Sequence, residues 1–130
     1  MKYNVVWFTF QVSSGLEWTS SSLPDGSRVE ACVGETASFR WEYTASGDET
    51  VTHIEYYKIT QDGKRMLATY VAGHLLKFPS IPITVGFLPN AGVEIGNFTW
   101  DDFTVYHITI NYRRGGLFLS ASRSVTLALP

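Results

Sequence analysis

Cysteine occurs once in the 130 residues, at Cys32, so no disulfide can close within the chain. That is ordinary in a reducing compartment and unusual for a small extracellular domain, which would then need a core able to hold without a bridge. A basic excess is also missing: 10 Lys and Arg stand against 12 Asp and Glu, a formal net charge of −2. Binding to phosphate backbones needs clustered cations, so nucleic acid is not an expected partner. No apolar run reaches the roughly eighteen residues of a membrane-spanning helix, so an anchor is expected outside these residues. No stretch carries a sustained helical repeat with caps. His53, His74 and His107 lack the close spacing of a metal motif, so neither metal nor cofactor is expected. Without a nucleophile elbow, a phosphate-cradling glycine loop or a cofactor fingerprint, the chain does not read as an enzyme. Asp101-Asp102 does not change this, because adjacent carboxylates at a strand-end turn diverge.

What is present is a globular composition: 45% hydrophobic and 15% aromatic residues with charges of both signs spread along the chain, enough to fill one core. Residues 1–130 are therefore expected to form a single domain. Short runs of Val, Ile, Thr, Phe and Tyr alternate with clusters such as Ser20–Gly26, Gln61-Asp62-Gly63, Pro89–Gly92 and Arg113–Gly116. This punctuation predicts an all-β sandwich. Strands are expected at Tyr3–Val12, Arg28–Cys32, Thr36–Tyr43, Val51–Thr60, Arg65–Val71, Leu75–Phe78, Thr84–Leu88, Gly92–Phe98, Thr104–Tyr112 and Leu117–Leu129. The opening residues also read as a weak signal peptide, but their β-branched and aromatic content and the lack of a small-residue cleavage site favour a strand.

Alternation assigns faces, because successive strand side chains point to opposite sides. Phe39, Trp41 and Tyr43 share a face, as do Ile54 and Tyr56, and Tyr106, Ile108, Ile110 and Tyr112. His107, Thr109, Asn111 and Arg113 take the opposite, wet side. In the last strand Leu117, Leu119, Ala121, Val125, Leu127 and Leu129 form an apolar face interrupted by Arg123, which suggests a bulge or strand end there.

Two segments carry a family resemblance. Gly34-Glu35-Thr36-Ala37-Ser38-Phe39-Arg40-Trp41 resembles the turn and second strand of variable-type (V-set) immunoglobulin domains, with Trp41 where the first disulfide cysteine normally stands. Glu94 to Ile108 is similar to the family's run through the tyrosine corner. Tyr106 stands at the corner tyrosine, Asp102 at the acidic residue before it, and Ile108 at the second cysteine. Ile54-Glu55-Tyr56-Tyr57-Lys58 resembles the third strand, with Tyr56 in place of the core tryptophan. The resemblance covers about Arg28 to the C-terminus and implies an immunoglobulin-like two-sheet Greek-key sandwich, V-set type, without the intersheet disulfide. Trp41, Ile108 and Tyr56 are then expected to pack across it. A disulfide stabilises by roughly 2–4 kcal/mol, a loss that burial of large aromatic side chains can offset. The exchanged core resembles the membrane-distal domain of the invertebrate allorecognition receptors of colonial hydroids, cell-surface proteins that bind like domains on opposing cells.

The resemblance implies an extracellular recognition or adhesion domain within a longer single-pass membrane protein, with protein as partner, the same domain in trans above all. The sheet face used by V-set domains would present Glu55, Tyr57, His107, Thr109, Asn111, Arg113 and Phe118, a mixture suited to an interface. Tyr57 and Phe118 are read as neighbouring exposed aromatics. A heterophilic receptor module and a carbohydrate-binding sandwich using Trp18, Trp100 and Tyr57 remain alternatives. Asn97-Phe98-Thr99 is a glycosylation sequon, compatible with a secretory route. Cys32, among Val29, Ala31 and Val33, reads as a small core residue, with pairing to a neighbouring domain as the alternative.

Overall fold

The computed structural model describes residues 15–78 and 82–130, so the strand expected at Tyr3–Val12 lies outside it. Its strands are β1 (Glu17–Trp18), β2 (Ser27–Glu30), β3 (Ala37–Phe39), β4 (Tyr43–Thr44), β5 (Glu49–Thr60), β6 (Gly63–Val71), β7 (His74–Lys77), β8 (Thr84–Phe87), β9 (Val93–Gly96), β10 (Val105–Arg114) and β11 (Leu117–Ala128). A 3-10 turn at Trp100–Asp102 precedes β10. A six-stranded sheet in the order β2-β11-β10-β5-β6-β7 packs over a three-stranded sheet, β3-β9-β8, and β1 pairs with β4 beside them. Pairing is antiparallel except between β2 and β11.

Alternation places the core as the sequence predicts. Ile54, Tyr56, Tyr106, Ile108, Ile110, Val125 and Leu127 point inward from the large sheet onto Phe39, Trp41, Val85, Val93 and Ile95, all buried in one cluster. Gly115, at φ 60°, is the first of two residues between Arg114 and Leu117, the position at which a tight hairpin turn needs a residue without a Cβ.

Three expectations change. The strand at Thr36–Tyr43 divides into β3 and β4, because the chain leaves β9 after Phe39 and changes partners: Arg40 accepts from Leu23 N at 2.9 Å, and Glu42 N donates to Ser22 Oγ at 2.9 Å. Arg123 marks neither bulge nor strand end. The register of β11 on β10 runs unbroken from Leu117 to Thr126, and Arg123 points inward opposite Ile108. Its guanidinium lies 4.8 Å from the Trp18 ring centre and donates to the Leu23 carbonyl at 2.7 Å, which satisfies the charge without a kink. Cys32 is not a core residue. It is exposed in a turn after β2 in which its N–H donates to Glu35 Oε1 at 2.6 Å, and Ala31 takes the buried place.

Candidate interaction face

The disulfide position is filled by aromatic packing. Trp41 and Tyr56 are each 1% exposed, with ring centres 6.3 Å apart, and Phe39 lies 5.5 Å from Trp41 and 5.3 Å from Tyr106. Ile108, fully buried, is the register partner of Tyr56 on β10. The Tyr56 hydroxyl donates to the Ala91 carbonyl at 2.8 Å, which meets the need of a buried phenol for a partner. Among the described residues Trp41 Nε1 has none.

The corner below this core is also built. The Tyr106 hydroxyl donates to the Asp102 carbonyl at 2.7 Å. The buried Asp102 carboxylate pairs with Lys58 Nζ and accepts from the Thr99 backbone N–H at 2.7 Å. The corner motif locates Asp102 from sequence, but its ion pair with Lys58 spans 44 residues and leaves no local signal. The same holds for Glu49 and Arg114, 3.2 Å apart at the opposite end of the sheet.

This frame fixes the outer face of the large sheet. His53, Glu55 and Tyr57 from β5, His107, Thr109, Asn111 and Arg113 from β10, and Phe118, Ser120 and Ser122 from β11 project away from the core, mostly half-buried by one another. Asn111 Nδ2 donates to Glu55 Oε1 at 3.2 Å, and the Thr109 and Ser122 hydroxyls lie 3.1 Å apart. Lys64 Nζ sits 5.1 Å from the centre of the Tyr57 ring. Partial burial and then the Glu55 carboxylate raise the Tyr57 phenol above its usual range. Burial and then the Lys64 charge lower the His107 imidazole below its usual range, against a smaller opposing effect of Asp25. The middle of the face is thus a hydrogen-bonded polar surface around the Glu55 carboxylate, flanked by aromatics and cations.

The structure brings all seven sequence-selected residues to one face, but separates the two aromatics. Tyr57 stands opposite His107 and Phe118 opposite Arg113, which puts about 20 Å of strand between them. Met66, the register partner of Tyr57, and Leu76, the partner of Thr69, belong to the face as well. Alternation alone does not reveal them, because a bulge after Tyr56 sets the outward place of Met66, and the pairing of β7 on β6 sets that of Leu76.

Elsewhere, Asn97 is exposed at φ 55° where β9 ends, its amide donating to the Pro82 carbonyl at 2.8 Å. Trp18, Trp100 and Tyr57 do not share a platform. Trp18 is half-buried under Arg123, Tyr57 lies under Lys64, and Trp100, 67% exposed, edges a separate open cleft with Lys58, Arg65 and Asp101. Among the described residues no group of three His, Cys, Asp or Glu side chains could hold a metal ion, and no helix is long and apolar enough to cross a membrane.

This architecture is that of an immunoglobulin-like Greek-key sandwich of the variable type, and with one cysteine it has no intersheet disulfide. The chain is similar in structure to murine CRIg, with a TM-score of 0.69 over 84% of this chain and 97% of that one at 10% identity. It is also similar to the two tandem V-type regions of VCBP3, a v-region-containing chitin binding protein, with a TM-score of 0.67 at 14% identity over 90% of this chain and 46% of that one. CD84 matches with a TM-score of 0.53 at 15% identity over 82% of this chain and 100% of that one. No family model matches the chain, and no curated protein matches it in sequence.

Proposed function

We propose that this chain is an extracellular recognition domain that binds its own kind on an opposing cell through the outer face of the six-stranded sheet, as part of a membrane-anchored receptor. The observation that carries the reading is that face. It is broad, no described element covers it, and it combines a hydrogen-bonded polar centre at Glu55, Thr109 and Asn111 with Tyr57, Met66, Leu76 and Phe118 around it. Such a mixture of polar centre, aromatics and Met suits a protein partner better than plain solvent. The V-type fold and the exchanged core support the same placement, and Asn97 in its exposed turn is an accessible glycosylation site on a secretory route.

Beads coated with the chain test this directly. Wild-type beads should cluster, and beads carrying Thr109→Arg, which puts a long charged side chain into the polar centre, should cluster far less. Dispersed wild-type beads that capture a different protein would replace self-recognition with a heterophilic module. Carbohydrate binding is a second reading, favoured only by exposed Trp100 in its cleft. Retention on a glycan array that Trp100→Ala abolishes would support it.

A further inference from the structure

Among the described residues, strand pairing leaves a long backbone edge of β11 open. β2 covers β11 only at Val125–Ala128. Ser124 is covered by the preceding turn: its N–H donates to Asp25 Oδ1 at 2.8 Å, and its carbonyl accepts from Gly26 N at 2.9 Å. In a strand the N–H and C=O of one residue point to the same side, and the sides alternate. Ser124 and Ala128, whose carbonyl accepts from Ala31 N at 3.1 Å, therefore place the even-numbered residues on the outer edge. Leu127, whose N–H meets the Thr104 carbonyl at 3.0 Å, faces β10. Among the described residues nothing pairs with the outward N–H and C=O groups of Phe118, Ser120 and Ser122.

The usual protections of such an edge are missing here. No bulge interrupts β11 on β10, and the nearby charge, Arg123, is committed to Leu23 and Trp18. Phe118 is 78% exposed beside the open groups.

We propose that this edge joins a second copy of the chain, strand β11 antiparallel to strand β11, about a two-fold axis through Ser120. In this register Phe118 meets Ser122 of the other copy and Ser120 meets itself, and each pair exchanges both N–H···O bonds, so no outward group is left over. Side chains complement one another as well. On the outer face each Phe118 ring lies beside the small Ser120 and Ser122 of the other copy, and on the inner face Leu119 comes opposite Ala121. Because the strands run oppositely, the two C-terminal ends leave in opposite directions.

The naming of a second copy rests on the self-recognition reading, but the surface is a different one. A molecule with two distinct two-fold contacts, one through the sheet face and one through this edge, builds a linear array rather than a closed dimer.

The test is sedimentation of the full chain over a concentration series, with hydrogen exchange read at single amides. Wild type should assemble beyond a dimer, and the Phe118, Ser120 and Ser122 amides should gain protection as concentration rises. Ser120→Pro removes an N–H that β10 does not use, so it should keep the fold by circular dichroism and stop at the face-to-face dimer. Thr109→Arg should retain the edge dimer. Independently, Ser120→Cys in a Cys32→Ser background should oxidise to a covalent dimer. Protection of these amides that persists at dilutions where the chain is monomeric would assign the edge to a segment of the same chain and overturn the proposal. So would unchanged assembly by Ser120→Pro together with no covalent dimer; loss of assembly in Thr109→Arg alone would then leave the face reading standing. A wild-type chain monomeric throughout overturns both.

Discussion

The rings of Trp41 and Tyr56 lie 6.3 Å apart and near parallel, 29° between planes, where the resemblance puts a disulfide cysteine and a core tryptophan. The bridge is replaced by a packed aromatic pair whose phenol is anchored on Ala91. Stability at this point comes from buried area, so it is sensitive to volume and indifferent to redox conditions.

Trp41→Ala should cost about 3–5 kcal/mol, the range for deleting a large buried aromatic. Trp41→Phe should cost much less, because it keeps a ring and removes an indole N–H that has no partner among the described residues. Urea unfolding of the two variants checks this, and a Phe variant as weak as the Ala variant would show that indole shape rather than aromatic burial holds the site.

Alkaline pH should weaken the fold. Burial raises the Tyr56 and Tyr106 phenols, with Tyr43 and Tyr70 adding at Tyr56 and the Asp102 charge at Tyr106. Above the ordinary value of 10.0 the unfolded chain releases these protons and the folded chain keeps them. The folded state then binds more protons, so stability is fully present below about pH 10 and falls as pH rises toward the folded values, by about 1.4 kcal/mol per pH unit per tyrosine. Tyr56→Phe should flatten that slope in melting curves taken between pH 9 and about 11.

The corner depends on Asp102 more than on its tyrosine. Tyr106→Phe loses one hydrogen bond to a carbonyl and should cost about 1–2 kcal/mol. Asp102→Ala removes the partner of Lys58 and the acceptor for Thr99 N–H, and should cost about 3–5 kcal/mol. Equilibrium unfolding that ranks the two the other way would contradict this order.

Arg123→Ala should cost about 1–3 kcal/mol, although the residue lies in the last strand, because its guanidinium caps the Leu23 carbonyl and covers Trp18. Phe118→Ala should leave stability within about 0.5 kcal/mol, as expected for an exposed side chain. Self-association should fall in the Phe118 variant alone, which sedimentation reads.

Period-two alternation made the core strands legible: Tyr56, Ile108 and Trp41 sit inside where their spacing put them, and the seven face residues sit outside. The corner was legible because its hydrogen bond is local, Tyr106 to Asp102. What alternation does not carry is who pairs with whom. The split at Arg40–Glu42, the Lys58–Asp102 and Glu49–Arg114 pairs, and the inward turn of Arg123 all depend on partners tens of residues away. Cys32 was misplaced because β2 ends at Glu30 and only a tertiary turn, closed by Glu35, reveals it. The separation of Tyr57 from Phe118 likewise required the register of β10 against both neighbours.

Self-recognition through the large sheet is tested most directly by backbone amide chemical shifts of the isolated chain across a concentration series. Residues 53–57 and 107–113 should move together as concentration rises, with the amides of β3, β8 and β9 unchanged. Shifts confined to the three-stranded sheet, or to residues 118–122 alone, or no concentration dependence at all, would contradict the account.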